Sequence, residues 1–147
     1  MNDLTHSPAD ILGQLLIDIS VGSDVLDGEA WPVFVSSEPT LPDNMLTTYD
    51  TQGVDQGRSM LDGELYTYHG VQTRIQATDP KTGWTKVNLV RRELSRVSKK
   101  VVHLESSSYL VWSLTQIGPS LALGKMTGES KRNLFTVNAL LVVKQLS

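Results

Sequence analysis

Hydrophobic and polar side chains alternate strictly along one short segment, with Val71, Thr73, Ile75 and Ala77 in one phase and Gln72, Arg74 and Gln76 in the other. A period of two sends successive side chains to opposite faces of an extended backbone, so this segment predicts a strand with one buried face. The stretch "NLFTVNALLVVKQL" repeats the pattern, with Phe135, Val137, Ala139, Leu141 and Val143 on one side. Two more strands are predicted at "KVVHLES" and "YLVWSLTQIG", separated by a serine turn, and a shorter one from Met45 to Tyr49. From Ser23 to Asp43 the pattern is broken by Pro32, Pro39 and Pro42, leaving only Val33 to Val35 for a short edge strand.

Two segments change period. In "SPADILGQLLIDIS" the apolar positions Ile11, Leu12, Leu15, Leu16 and Ile19 recur at helical spacing. Ser7 stands where an N-cap belongs, Pro8 at the first helical position, Asp10 where its charge meets the helix dipole, and Gly22 where the helix stops. Asp79 and Pro80 repeat the cap-then-proline signal. They predict a second helix over about residues 80–99, with Trp84, Val87, Val90, Leu94 and Val97 as its apolar stripe. Lys86, Arg92, Arg96 and Lys99 fall opposite that stripe. The order α, β, β, α, β, β, β predicts an α+β domain, a mostly antiparallel sheet with two helices packed on it.

The chain has 147 residues, enough for one domain over 1–147, with 39% hydrophobic and 20% charged residues. A net charge of -3 argues against a dedicated nucleic-acid binder, and the lack of cysteine excludes disulfides, thiolate zinc sites and thiol catalysis. "MNDLTHSPADILGQLLIDI" has no basic leader region, and its apolar residues are interrupted by Gly13, Gln14 and Asp18. It reads as neither a signal peptide nor a membrane span, so the protein is expected to stay where it is made.

The chemical motifs are empty. "LGKMTGES" lacks the spacing of a phosphate-binding loop and leads into a strand rather than a helix N-terminus. His6, His69 and His103 lie on distant segments without metal-ligand spacing. Ser59 and Ser120 are not in a nucleophile elbow, and Asp50, Asp55, Asp62 and Glu64 sit on a Gly-rich stretch with no rigid frame to set a catalytic separation. The basic positions Lys86, Arg91, Arg92, Arg96, Lys99 and Lys100 read as a solvated helix face or a subunit salt-bridge surface. The expectation is a non-enzymatic protein with no catalytic, cofactor or metal site.

Two stretches read as flexible loops, Asp50 to Glu64 and Gly118 to Arg132. The second joins a Gly-rich run to the last strand. Leu121, Leu123 and Met126 are its candidate apolar protein contacts and Lys125, Lys131 and Arg132 its polar ones, with Arg58 on the first loop as a further contact.

Several segments then bear on family. "LPDNMLTTYDTQG" contains Pro42, Asp43, Tyr49 and Asp50, "YHGVQTRIQA" and "DPKTGWTKVNLVRREL" follow, and the end carries Gly118, Pro119, Leu123 and Gly124 before a long strand. In this order, over about residues 8–146, the chain resembles the tail terminator or minor capsid proteins of long-tailed bacteriophages. The resemblance implies a tail-terminator-like α+β subunit that forms a hexameric ring on the head-proximal end of the tail tube. Such a ring ends tail polymerisation and offers the head-tail joining surface. Its implied partners are further copies of itself, the tail tube protein and a neck or head-completion protein, with DNA only as cargo through the lumen and no membrane. The implied location is the virion, and the host cytoplasm during assembly. A neck or head-completion protein of the same virion, or a small hydrolase or nucleotide-binding enzyme with a hidden site, stays open as an alternative.

Overall fold

A computed structural model describes residues 4–24, 30–36, 44–58, 65–125 and 133–146; for 52–58, 65–67 and 118–125 the description is of backbone alone. The elements are α1 (Pro8–Asp18), β1 (Val33–Val35), β2 (Met45–Arg58), β3 (Leu65–Ala77), α2 (Pro80–Ser95), β4 (Ser98–Leu104), β5 (Ser107–Lys125) and β6 (Asn133–Gln145). The strands form one six-stranded sheet in the order β1-β2-β3-β6-β5-β4. β1 runs parallel to β2, and the other neighbours are antiparallel. The sheet is curled as a half-barrel, and with its two helices the architecture is α+β with the sheet dominating.

Both helices start where hydrogen-bond chemistry tells them to. The Ser7 hydroxyl accepts the Asp10 N–H, the Asp79 carboxylate accepts the Lys81 N–H, and each helix has proline in its first turn. A neighbouring strand satisfies a further orphan donor of α1: the Ala9 N–H donates to Asp50 Oδ1 at 2.9 Å, while the Thr48 hydroxyl donates to the Ala9 carbonyl at 2.8 Å. Asp50 is therefore an anchor for α1 and not part of a loop. The helix ends at Asp18, with Ile19 as C-cap, before Gly22 is reached.

α1 touches β1 and β2 near one sheet edge and β4 at the other, so the half-barrel closes around this helix. Its buried Ile11, Leu12, Leu15 and Leu16 meet the concave face, where Leu46, Val71, Ile75, Val102, Tyr109, Val111, Val137 and Leu141 are buried. α2 lies over β3, β5 and β6 and closes the rest of that face. It comes very near the sheet: a Cβ built on Gly83 would fall 2.3 Å from Phe135 Cε2, so only glycine permits this approach. Residues before α1 are pinned as well. The His6 N–H donates to the buried Tyr109 hydroxyl at 3.0 Å, that oxygen lies 2.6 Å from His6 Nδ1, and the Thr5 N–H donates to Gln145 Oε1 at 2.9 Å.

Three sequence expectations are corrected. The segment from Asp50 onward is not a loop up to Arg58, because β2 pairs with β3 from Met45↔Gln76 to Arg58↔Leu65, with two register shifts absorbing its irregular stretches. The Gly118-Pro119 run is likewise strand: β5 continues to Lys125, and a register shift between Ile117 and Leu121 takes up the extra residues. Residues 59–64 and 126–132 of the two expected loops lie outside the described residues. Finally, α2 stops at Ser95, with Arg96 as C-cap, so Lys99 and Lys100 belong to β4, where Lys99 has φ 51.

Candidate interaction surface

Because side chains alternate along each strand, the residues facing away from the helices form a second, convex surface. At its centre this surface is polar and internally bonded. Gln72 Nε2 donates to Asn138 Oδ1 at 3.0 Å, Arg74 Nε donates to Gln72 Oε1 at 3.1 Å, and the Arg74 guanidinium lies 5.1 Å from the Tyr49 ring centroid. Toward the β4 edge its character changes. Val101 pairs with Leu110, Ser113 with Val142 and Thr115 with Leu140, which brings Val101, Leu110, Trp112, Leu140 and Val142 together with Ile117 beyond them. Trp112 is 52% exposed, Ile117 48% and Val101 43%.

The bulge explains Trp112. Val111 pairs with Val143 but Ser113 with Val142, so Trp112 is the extra residue that the register shift leaves over. Its ring lies 5.1 Å from the Lys99 ammonium on β4. Apolar surface grouped in this way, beside a cation, is the usual appearance of a protein-contact surface. The sequence held one clue: β6 carries apolar residues in both phases in "ALLVV", whereas β3 does not.

β4 pairs with β5 only as far as Ser98↔Ser113, so the remainder of β5 has no strand on that side among the described residues. Pro119 lacks an N–H, and together with the Ile117/Leu121 register shift it interrupts what would otherwise be a regular ladder for another chain.

The expected contact residues are placed by backbone. Leu121, Leu123 and Lys125 are in β5, with Leu121 opposite Thr136 and Lys125 opposite Asn133, and Arg58 closes β2 opposite Leu65. Met126, Lys131 and Arg132 lie outside the described residues. The structure thus puts Arg58 and Lys125 at different ends of the sheet, since β3 and β6 are antiparallel, with Ala77 against Asn133 and His69 against Leu141.

The expected basic helix face is divided. Arg91 Nε donates to Gln116 Oε1 at 3.2 Å, and Arg96 Nη1 approaches Glu93 Oε1 at 3.4 Å. Lys86, expected on the solvated side, is only 8% exposed: its ammonium donates to the Val21 carbonyl and lies 4.9 Å from the Trp31 ring centroid. Desolvation by burial pushes its pKa below 10.5. Trp84, assigned to the apolar stripe, is 47% exposed and meets the Phe135 ring at 6.2 Å, at the margin of the stripe.

Among the described residues no group of three or more His, Asp or Glu is placed to hold a metal ion, and no helix is long and apolar enough to cross a membrane. His103 is exposed beside the Ser108 hydroxyl, 3.0 Å from Nδ1, and His6 and His69 belong to separate segments. No family model matches the sequence, and no curated protein is significantly similar to it.

Proposed function

We propose that the chain is a structural subunit of the tail-terminator type, which assembles into a ring at the head-proximal end of a phage tail tube and is not an enzyme. Its partners in this reading are further copies of itself, the tube below and a neck protein above, with DNA passing through the lumen. The observation that supports the reading best is the polarity of the sheet. Two long hairpins, β2–β3 and β5–β6, are built from strands of 14, 13, 19 and 13 residues, against about 5–6 for an ordinary strand. Their connecting ends lie at opposite poles: Arg58 and Leu65 at one, Lys125 and Asn133 at the other.

A subunit that joins a tube to a neck needs contacts at two poles and lateral contacts between copies. The hairpin ends supply the first. The convex apolar surface beside the open edge of β5 is suited to the second, because a heterologous contact of this kind generates a closed ring when its rotation closes.

Sedimentation over a concentration series, with electron microscopy of the chain alone and with purified tail tubes, tests the proposal. We expect monomers at low concentration and sixfold rings when concentrated or bound to tube ends, with tails of uncontrolled length when the chain is omitted from assembly. A twofold dimer at every concentration, with no binding to tubes, would sink it.

A further inference from the structure

Trp31 and the first turns of α2 enclose an open groove of about 460 Å³. Trp31 and Leu89 give it apolar walls, Asp79, Lys81 and Thr85 are further lining residues, and Lys86 is the buried cation within it. An ammonium carries three donors, and among the described residues that of Lys86 has one acceptor, the Val21 carbonyl, plus the Trp31 ring. No ion pair among the described residues engages it. Asp79, the carboxylate in the groove, is already committed to the Lys81 N–H and the Thr82 hydroxyl, each at 3.2 Å.

This arrangement is incomplete by ordinary electrostatics. Buried charges are paired or fully hydrogen-bonded, since desolvation otherwise disfavours the charged form. The depression of the Lys86 pKa by burial has that same cause. The indole is also held there against backbone preference. Trp31 has φ 59, costly for a bulky residue, and is fixed by its carbonyl accepting the Ser23 N–H at 2.9 Å while the Ser23 carbonyl accepts the Val33 N–H at 2.9 Å.

We propose that this groove is a receptor for a carboxylate side chain, aspartate or glutamate, presented by a protein partner. The carboxylate would accept the spare Lys86 donors, and its methylene stem would lie between Trp31 and Leu89. Among the described lining residues, Lys81 and Lys86 against Asp79 leave one net positive charge, which suits a monoanion; the Asp79 carboxylate opposes a doubly charged phosphate. The inference is independent of the ring reading.

The test is a titration of the full chain with N-acetylglutamic acid amide at constant ionic strength, following the Trp31 indole N–H by NMR. We expect a saturable shift with a dissociation constant on the order of 1 mM, weaker binding of acetate and of inorganic phosphate, and none of N-acetylglutamine amide. Lys86→Met, which removes a buried charge without leaving a partner charge unpaired, should lose the response. Thr85→Trp, at an exposed lining position, should lose it by filling the groove mouth, and it decides the matter should Lys86→Met fail to fold. Equal binding of the glutamine compound, tighter binding of phosphate, or a response that survives in folded Lys86→Met would overturn the proposal. Acetate binding as tightly as the glutamyl compound would assign the groove to a free carboxylate and overturn the protein partner.

Discussion

On the concave face of the sheet, Val71, Ile75, Val137, Ala139 and Leu141 are sealed beneath helices, whereas on the convex face the same two strands present Gln72, Arg74 and Asn138 in one place and Leu140 and Val142 in another. The difference lies in the patterning of the strands. From Val71 to Ala77 β3 alternates, with Val71, Ile75 and Ala77 inward and Gln72 and Arg74 outward, although Gln76 in the outward phase is fully buried. β6 loses the alternation in "ALLVV" and is apolar in both phases, the pattern of a strand covered on both sides. Among the described residues helices cover one of those sides only, and the convex Val101–Trp112–Val142 region lies on the other.

The comparison breaks most visibly on its concave side. Val137 is 4% exposed and surrounded by core, so Val137→Asp should cost more than about 4 kcal/mol and unfold the protein, as read by circular dichroism. Gly83→Ala is the next largest effect. The added methyl would meet the buried Phe135 ring and force it to shift, so a loss of about 1–3 kcal/mol is expected in chemical denaturation. A stable Gly83→Ala protein would mean that α2 rides higher on the sheet than described.

Much of the concave architecture was legible in the sequence because it is written in local signals. Alternation at Val71 to Ala77 and the cap-proline pairs Ser7-Pro8 and Asp79-Pro80 each act within a few residues. What was missed depends on partners far along the chain. Glycine and proline at 118 and 119 signal a loop locally, yet pairing of β5 with β6 on either side carries the strand through them by a register shift. Lys86 reads as solvated, since lysine seldom buries, and nothing nearby in sequence announces the Val21 carbonyl and Trp31 ring that receive it. Trp112 looked like one more strand residue, because a bulge is a property of two strands. The sequence pointed to positions 121–132, of which 121–125 are described by backbone alone and 126–132 lie outside the described residues, while the apolar surface among described side chains centres on Trp112.

Smaller effects sharpen the concave side. Asp50→Ala removes the acceptor for the Ala9 N–H and should cost about 1 kcal/mol, as the loss of an N-terminal cap does, with thermal melting as the check. Lys86 gives a pH signature. Its folded pKa is depressed, so below 10.5 the unfolded chain binds more protons at this position, and stability rises with pH as the folded group loses its charge. Denaturation as the pH is raised toward 10.5 should show wild type gaining stability relative to Lys86→Met. A relative loss would mean that the ammonium is stabilised where it sits.

A change on the convex side tests the comparison most directly. Trp112→Ser with Ile117→Ser removes two side chains that are already about half in water, together with the contact between Trp112 and Lys99. An exposed cation–π contact contributes about 0.5–1 kcal/mol, and the half-burial of two such side chains about 1.5–3 kcal/mol. Folding stability should therefore fall by no more than about 2–4 kcal/mol, less than for Val137→Asp. Association should suffer in the folded variant as well, because aromatic anchors at the centre of an interface carry a large share of its binding energy, and ring formation should weaken by at least about tenfold. Gln72→Ala, in the polar part of the same face, should leave self-association unchanged and serves as the control. Denaturation and sedimentation on the same samples separate the two effects. If the convex double variant unfolds like Val137→Asp, the two faces are not different in kind; if it folds and still forms rings at wild-type concentrations, the lateral contact belongs to the β2–β3 side of the sheet.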